Sequence, residues 1–312
     1  MFFIFKKGEI YLKAELIDAQ TASSIIATKD DYISNFSEFD LQSRLGTSEK
    51  VSKDDLVEFL SRQTVDWTNS EEIIVNSIFS ELDICYAPYK EYLLDSIKLI
   101  KTSGREECDA AYTRNKCIYV PISMVQWQYD ELKEIIAHEL FHVVSTNNPK
   151  FRNDLYLKLG FTACPELDVP DDYKLLYVSN PDTIGKNSYV ELQSNGAQIK
   201  AVPFLYSETP YSGGYFFEYF RFTFLESDLE HDKCVPIYEN NRPKFISPPH
   251  KLFELCEEID PYNNQHRLHP EEILAYYWSF LPFSESKLES SKRRYLVKIQ
   301  NLLEQEGTSV FS

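Results

Sequence analysis

The chain has 312 residues, enough to bury a large core in one domain with lobes or in two domains. Aromatic residues make up 14% of it, including 21 Tyr and 21 Phe, which excludes a disordered chain. The formal net charge of −17 at pH 7 disfavours binding to a phosphate backbone, so we expect no nucleic-acid partner.

The N-terminus and the cysteines bear on the compartment. The apolar start, Met1 to Phe5, is too short for a signal-peptide core, and its charged residues follow it. No run of 18 apolar residues occurs, so we expect no membrane contact. The six cysteines are scattered and indicate ordinary thiols, with disulfides left open. We expect a cytoplasmic protein by default, with export that uses no cleaved signal left open.

Residues 1–65 are predicted to form an N-terminal lead-in without chemistry. Phe2 to Ile17 is predicted to hold one or two strands, and Lys53 to Arg62 a short amphipathic helix. A longer helix is predicted to begin after Trp67, with Ser or Asn as its cap, and to back a sheet. Its predicted buried residues are Ile73, Ile74, Ile78, Phe79 and Leu82.

Residues 66–149 are predicted to form the catalytic core. Ile97 to Lys101 is predicted to be a strand. Ile118 to Val120 is β-branched and aromatic and is bounded by Pro121, which predicts a strand near a sheet edge. Such a strand can pair with an extended peptide through main-chain hydrogen bonds, or it can be purely structural.

The helix that follows contains the candidate metal ligands and the candidate general base. Apolar residues at helical spacing predict one buried stripe: Leu132, Ile135, Ile136, Leu140, Val143 and Val144. His138 and His142 are four residues apart, so they lie on one helix face beside that stripe. Two such imidazoles can bind one Zn²⁺, and Glu139 between them can act as general base on a metal-bound water. The alternatives are a buried helix with two satisfied histidines or a site that has lost its metal.

Residues 150–250 are predicted to form a β-rich insert that carries substrate contacts or a lid, or else a second structural lobe. Asn180-Pro181-Asp182 is predicted to be a turn. Tyr189–Leu192 and Ile199–Leu205 flank Asn195-Gly196, which predicts a hairpin. Tyr215 to Leu225 is apolar on both faces, which predicts a strand covered on both sides.

Residues 251–312 are predicted to be helical. Lys251 to Ile259 is one candidate helix. A second candidate runs from His269 to Trp278, with Pro270 at the first helical position. Ser290 to Leu303 is predicted to be a final polar helix with a solvated face.

The sequence His138-Glu139-Leu140-Phe141-His142 resembles the active-site helix of the zincin metallopeptidases. The longer metzincin motif is absent, because Ser145 and Asn148 stand where its Gly and last His would fall. His269-Pro-Glu-Glu-Ile-Leu-Ala275 resembles the glutamate helix of the thermolysin-like gluzincins. The resemblance implies two His ligands and one Glu ligand on a catalytic zinc.

Two adjacent glutamates compete for the third ligand position. By periodicity Glu271 borders the apolar stripe of its helix, whereas Glu272 shares a face with small or polar residues that suit a cleft wall. The thermolysin-like pattern E-x-x-x-D favours Glu272, with Tyr276 where the Asp would stand. The predicted zinc ligands are therefore His138, His142 and Glu272.

A Tyr or His is expected to stabilise the oxyanion. We predict Tyr276 as a catalytic residue, either as this donor or by orienting the ligand. The other candidates are Tyr112, His250, His266, His269 and Tyr277.

These patterns predict an α+β fold with a zincin-like core, in which a mixed sheet carries the active-site helix, followed by a β-rich insert and C-terminal helices. The predicted function is zinc-dependent hydrolysis of peptide bonds in a peptide or protein substrate, with Glu139 as general base. One alternative is a non-catalytic binding protein with a vestigial zinc site, and another is a zinc hydrolase of a non-peptide amide. The sequence leaves the oligomeric state open.

Overall fold

The structure is a computed structural model that describes residues 12–194, 196–247 and 268–304. Helices and strands are mixed along these ranges, which confirms the predicted α+β class. The helices are α1 Ala19–Ile26, α2 Asp31–Ser34, α3 Glu38–Leu45, α4 Lys53–Ser61, α5 Asn69–Tyr86, α6 Ile122–Val125, α7 Tyr129–Asn147, α8 Pro149–Lys158, α9 Pro270–Trp278 and α10 Ser290–Glu304. The strands are β1 Lys13–Ile17, β2 Ser96–Thr102, β3 Tyr112–Arg114, β4 Cys117–Pro121, β5 Phe161–Ala163, β6 Glu166–Leu167, β7 Ser188–Ser194, β8 Ala197–Ser207, β9 Phe220–Leu229, β10 Lys233–Pro236, β11 Tyr238–Glu239, β12 Arg242–Pro243 and β13 Phe245–Ile246.

The first sheet has the strand order β1-β2-β4-β3. Strands β1, β2 and β4 are parallel, and β3 is antiparallel to β4. Side chains alternate along β2, so Leu99 enters the core formed with α5 and α7, whereas Ile100 enters a second core formed with α1 and α4. The N-terminal region therefore covers one face of the sheet, and α5 and α7 cover the other.

Ile118–Val120 lies near a sheet edge, as predicted, but it is not the edge strand itself. These residues belong to β4, which is fully buried between β2 and β3. The edge is β3 instead, because a turn at Asn115 and Lys116, both at positive φ, folds the chain back along β4. The backbone N–H of Thr113 on this edge already donates to the Asp182 carboxylate at 2.7 Å.

The second sheet has the order β5-β7-β8-β9-β10-β6, with β13 paired to β9. The predicted hairpin is confirmed as β7 and β8. The strand predicted from Tyr215 begins only at Phe220, because Gly213 and Gly214 at positive φ and a 3₁₀ turn precede it. Side chains of β7, β8 and β9 enter the same core as α7, so this sheet packs in one core with that helix.

In two helices the buried face differs in part from the predicted one. In α5, Ile73 and Ile74 are 71% and 38% exposed, because a longer stripe sets the helix rotation. That stripe is Val75, Ile78, Phe79, Leu82 and Tyr86. The final helix, α10, is amphipathic rather than polar, and its buried residues are Tyr295, Leu296, Ile299 and Leu302.

The remaining predictions concern membranes, thiols and the C-terminal helices. Within the described ranges, no helix is both long and apolar enough to cross a membrane. The described cysteines are free thiols, and Cys256 falls outside these ranges. The helix predicted from His269 is confirmed as α9 with Pro270 at its first position. The helix predicted from Lys251 to Ile259 lies outside the described residues.

Candidate metal centre

Helix α7 brings two predicted ligands together. At its start, the Glu131 carboxylate accepts a hydrogen bond from the backbone N–H of Gln128 at 3.2 Å. The buried stripe then holds the helix against the core and leaves the rings of His138 and His142 with centroids 4.9 Å apart. The His142 side chain is fully buried and that of His138 is 16% exposed, so the pair extends from the core to a cleft.

Helix α9 brings two adjacent glutamates against α7. His269 Nδ1 accepts a hydrogen bond from the backbone N–H of Glu271 at 3.2 Å and so caps the helix. Successive side chains point about 100° apart, and the two carboxylates therefore reach different atoms of α7. Glu272 Oε2 lies 3.4 Å from His138 Nε2 and 3.8 Å from His142 Nε2.

Glu271 lies behind His142. Its Oε1 is 2.9 Å from His142 Nδ1 and accepts hydrogen bonds from Lys186 Nζ at 2.6 Å and from the Ser145 hydroxyl, while the Tyr156 hydroxyl donates to Oε2 at 2.6 Å. Burial alone would raise the pKa of Glu271, but Lys186 and the contact with His142 lower it to about 2. An ionised Glu271 keeps the proton of neutral His142 on Nδ1 and leaves its Nε2 lone pair free to bind a metal.

Two of the separations between the proposed donor atoms are compatible with a zinc ion. Tetrahedral donors at about 2.0–2.1 Å from Zn²⁺ lie about 3.3 Å from one another. The separations of Glu272 Oε2 from the two imidazoles, 3.4 and 3.8 Å, are close to that value. The buried Nε2 of His142 has no hydrogen-bond partner among the described residues, and a buried polar atom normally has one. His138, Glu139 and His142 form one group with metal-ligand spacing, and His142, Asp182 and Glu272 form another.

Glu139 is placed as an acid–base group. Its Oε2 accepts a hydrogen bond from the Thr113 hydroxyl at 2.9 Å, and the residue lines the cleft while only 3% exposed. Burial raises the pKa of Glu139 to about 7, although His142 and Thr113 oppose the rise. A carboxyl with a pKa near neutrality can take up and release a proton at neutral pH.

The segment 180–182 completes the centre. The Asn180 side-chain amide donates to Glu272 Oε1 at 2.9 Å. Asp182 Oδ1 accepts from Thr113, and burial together with Glu139 and Glu272 raises the pKa of Asp182 well above its usual range. The sequence predicts this segment only as a turn. No spacing signal connects it with the H-E-x-x-H helix.

A buried ion network ties the N-terminal region to that segment. The Asp40 carboxylate accepts hydrogen bonds from the backbone N–H of Ser179 at 3.0 Å and from its hydroxyl at 2.8 Å. The Arg44 guanidinium donates to Asp40, to the Ser179 carbonyl and to Glu107, each at 2.9 Å. Residues 1–65 were predicted to play no part in the site. They do contribute to it, because Asp40 and Arg44 of α3 hold Ser179, the residue next to Asn180.

The remaining predicted donors lie in different places. Tyr276 lines the cleft one turn after Glu272 and packs on neighbouring aromatic rings. Tyr277 is 1% exposed and stacks inside the core. Burial lowers the pKa of His269 to about 4, so this cap is a neutral acceptor. Tyr112 is 2% exposed and stacks on a neighbouring ring. The candidates outside the described residues are His250 and His266.

The centre opens into a cleft of about 1060 Å³. Its lining comes from the segment 107–112, from residues of α7 and from aromatic residues between β8 and β9. The volume accommodates several residues of an extended peptide.

Comparisons of this chain with family models, with curated proteins and with solved structures find no match. The function is therefore argued from the centre itself.

Proposed function

We propose that this protein is a zinc-dependent peptidase with a zincin-like core, in which His138, His142 and Glu272 hold the metal. The observation that carries the proposal is the convergence of Glu272 Oε2 on both imidazole Nε2 atoms at 3.4 and 3.8 Å. The three residues come from two helices separated by more than a hundred residues of chain. A buried carboxyl, Glu139, stands between the histidines.

A zinc ion bound there would act as a Lewis acid toward a scissile carbonyl and would make a water molecule more acidic. The protein's own groups supply the rest. Glu139 accepts the proton of the attacking water and passes it to the leaving amine. Glu271 holds the proton on His142 Nδ1, and Asn180 holds Glu272 through its other oxygen. Tyr276, on the cleft wall, is proposed to donate a hydrogen bond to the oxyanion.

The cleft supports a peptide as substrate. Its volume of about 1060 Å³ lies at the upper end of small-molecule pockets. Beside the centre, Ala110 and Ala111 line the cleft immediately before the edge strand β3. An extended peptide can pair with the main chain of this segment whatever its sequence, next to Thr113, whose own N–H is already bonded to Asp182.

The proposal is tested with purified protein by measuring zinc content and hydrolysis of an unfolded protein such as casein, with and without a chelator. We expect about one zinc per chain and chelator-sensitive cleavage. Glu139→Gln keeps the size of the side chain and removes the proton acceptor, so zinc should remain while turnover falls roughly 10²–10⁴-fold.

The matched control is Asp130→Asn on the same helix, whose exposed carboxylate pairs with Lys133 at 2.9 Å and is not among the residues that line the cleft. It should retain activity within a few-fold. Activity of Glu139→Gln near that of the wild type would show that the chemistry lies elsewhere. Zinc binding without cleavage of any peptide or protein would favour the alternative of a binding protein with a vestigial site.

A further inference from the structure

The charges of the cleft are unbalanced. The basic side chains that line it are already bonded within the chain, Arg44 to Glu107 at 2.9 Å and Lys292 to Glu134 at 2.8 Å. Three exposed carboxylates of the lining make no ion pair with any described residue: Asp109, Glu131 and Glu218. An anionic substrate side chain therefore meets no unpaired basic side chain among the described residues, whereas a cationic one meets several carboxylates.

Two of these carboxylates line the cleft together with an exposed aromatic ring, that of Tyr215. Tyr215 is 51% exposed, and its ring lies 5.2 Å from that of Phe217. Burial raises the pKa of Tyr215, and the charges of Cys108, Asp109 and Glu218 add to the rise. An aromatic face beside carboxylates favours a Lys or Arg side chain, through cation–π and Coulomb attraction.

The part of the cleft lining that comes from α6, α7 and the residues between them offers apolar surface. Trp127 is 44% exposed and lies with Met124 and Ile135 in the cleft lining. Exposed aromatic rings at a cleft are frequent contact points for a partner. These carboxylates and rings share the cleft with the centre where the buried His142 Nε2 lacks a hydrogen-bond partner among the described residues.

We propose that the substrate is a cationic peptide segment, with a Lys or Arg side chain on Tyr215 in the part of the cleft that Asp109 and Glu218 also line, and an apolar side chain against Trp127. This inference rests on the proposed peptidase function and names its substrate class. The net charge of −17 adds a long-range attraction for such a segment.

The test uses Glu139→Gln protein loaded with zinc, so that binding is measured without turnover. The probes are fluorescein-labelled 12-residue peptides with a central Phe-Leu pair flanked by Lys, and the same peptides with Gln or Glu in place of Lys. Fluorescence anisotropy should give about tenfold tighter binding of the Lys peptide than of the Gln peptide, and still weaker binding of the Glu peptide. The Lys preference should shrink as the salt concentration rises.

Asp109→Lys combined with Glu218→Lys should abolish or invert the preference. The matched control is Glu230→Lys combined with Asp232→Lys, which makes the same change of net charge at exposed positions in the turn between β9 and β10. It should retain most of the preference. Substitution of Trp127 by Ala should weaken all three peptides alike, because it removes apolar contact only.

Equal affinities for the Lys and Glu peptides, or no measurable binding of either, would overturn the inference. A control variant that changes the preference as much as the cleft variant does would also overturn it, since net charge alone would then explain the effect. Failure of the peptidase proposal is seen separately, as absence of cleavage by the wild-type protein. Cleavage of casein without any charge preference would leave that proposal standing and remove this one.

Discussion

The two sides of the candidate centre are built in different ways. On one side, His138, Glu139 and His142 come from a single helix, and the helical repeat alone sets their spacing. On the other side, Glu272 belongs to α9 and is held by Asn180, which is far away in sequence. The first side depends on local geometry, whereas the second depends on buried polar contacts between distant segments. The second side should therefore respond to substitutions well away from the metal.

The largest expected effect is the loss of a ligand from either side. His142→Ala and Glu272→Ala should each reduce zinc from about one per chain to near zero, because three protein ligands hold a catalytic zinc. Elemental analysis of folded protein, checked by circular dichroism, measures this. If Glu271→Ala empties the site while Glu272→Ala remains loaded, the assignment of the two glutamates is reversed.

A smaller effect is expected from the carboxylate behind His142. Glu271→Gln removes the charge that faces His142 Nδ1 and Lys186, so zinc affinity or activity should fall roughly ten- to a hundred-fold. Competition with a chromophoric chelator measures the affinity. Glu285→Gln, at an exposed position, serves as the control and should change nothing. Unchanged affinity in Glu271→Gln would mean that the orientation of His142 does not depend on this contact.

The contact between Asn180 and Glu272 tests the second side more directly. Asn180→Ala removes a 2.9 Å hydrogen bond to Glu272 Oε1 and should lower zinc affinity by about tenfold. Asn76→Ala, on the exposed face of α5, should leave affinity unchanged. If Asn180→Ala leaves zinc affinity unchanged, as Asn76→Ala should, then the contact from Asn180 is not needed to position Glu272. The second side of the centre would then depend on local helix geometry, as the first side does.

The smallest effect on the centre is expected at Glu106, which should alter stability alone. Burial raises the pKa of Glu106 to about 7, so the folded protein holds a proton that the unfolded chain releases near its ordinary value. Stability should therefore fall as the pH rises from about 4.5 to about 7 and stay level above that.

Glu106→Gln should remove the share of this pH dependence that comes from Glu106, leaving the shares of Glu139 and Asp182, and should stabilise the protein at pH 8 by up to about 3 kcal/mol. Urea unfolding at pH 5 and pH 8 measures the effect. Glu289→Gln is an exposed control, which should keep the slope of the wild type. Zinc content should be unchanged in both variants. A fall in zinc content in Glu106→Gln would mean that Glu106 affects metal binding as well as stability.

Most of the elements follow from local patterns. The stripe of α7, the hairpin of β7 and β8, and the proline at the start of α9 were each predicted, because periodicity, turn chemistry and capping act over a few residues. The errors occurred where packing against other elements determines which residues are buried. The strand β4 has the composition of an edge strand, yet it is interior because β3 folds back beside it. Helix α10 contains many charges, yet its apolar stripe packs on the core.

The sequence by itself determined the side of the centre that lies on one helix, and the thermolysin-like pattern favoured the glutamate that the structure brings to the histidines. Only the tertiary structure assigned Glu271 to His142 Nδ1, and only it joined Asn180 and the Arg44 network to the same centre. The physical reason is the separation along the chain over which each interaction acts. Helical spacing acts between residues a few positions apart, whereas these polar contacts join segments more than 90 positions apart, and they exist because burial leaves each polar group no water to bind.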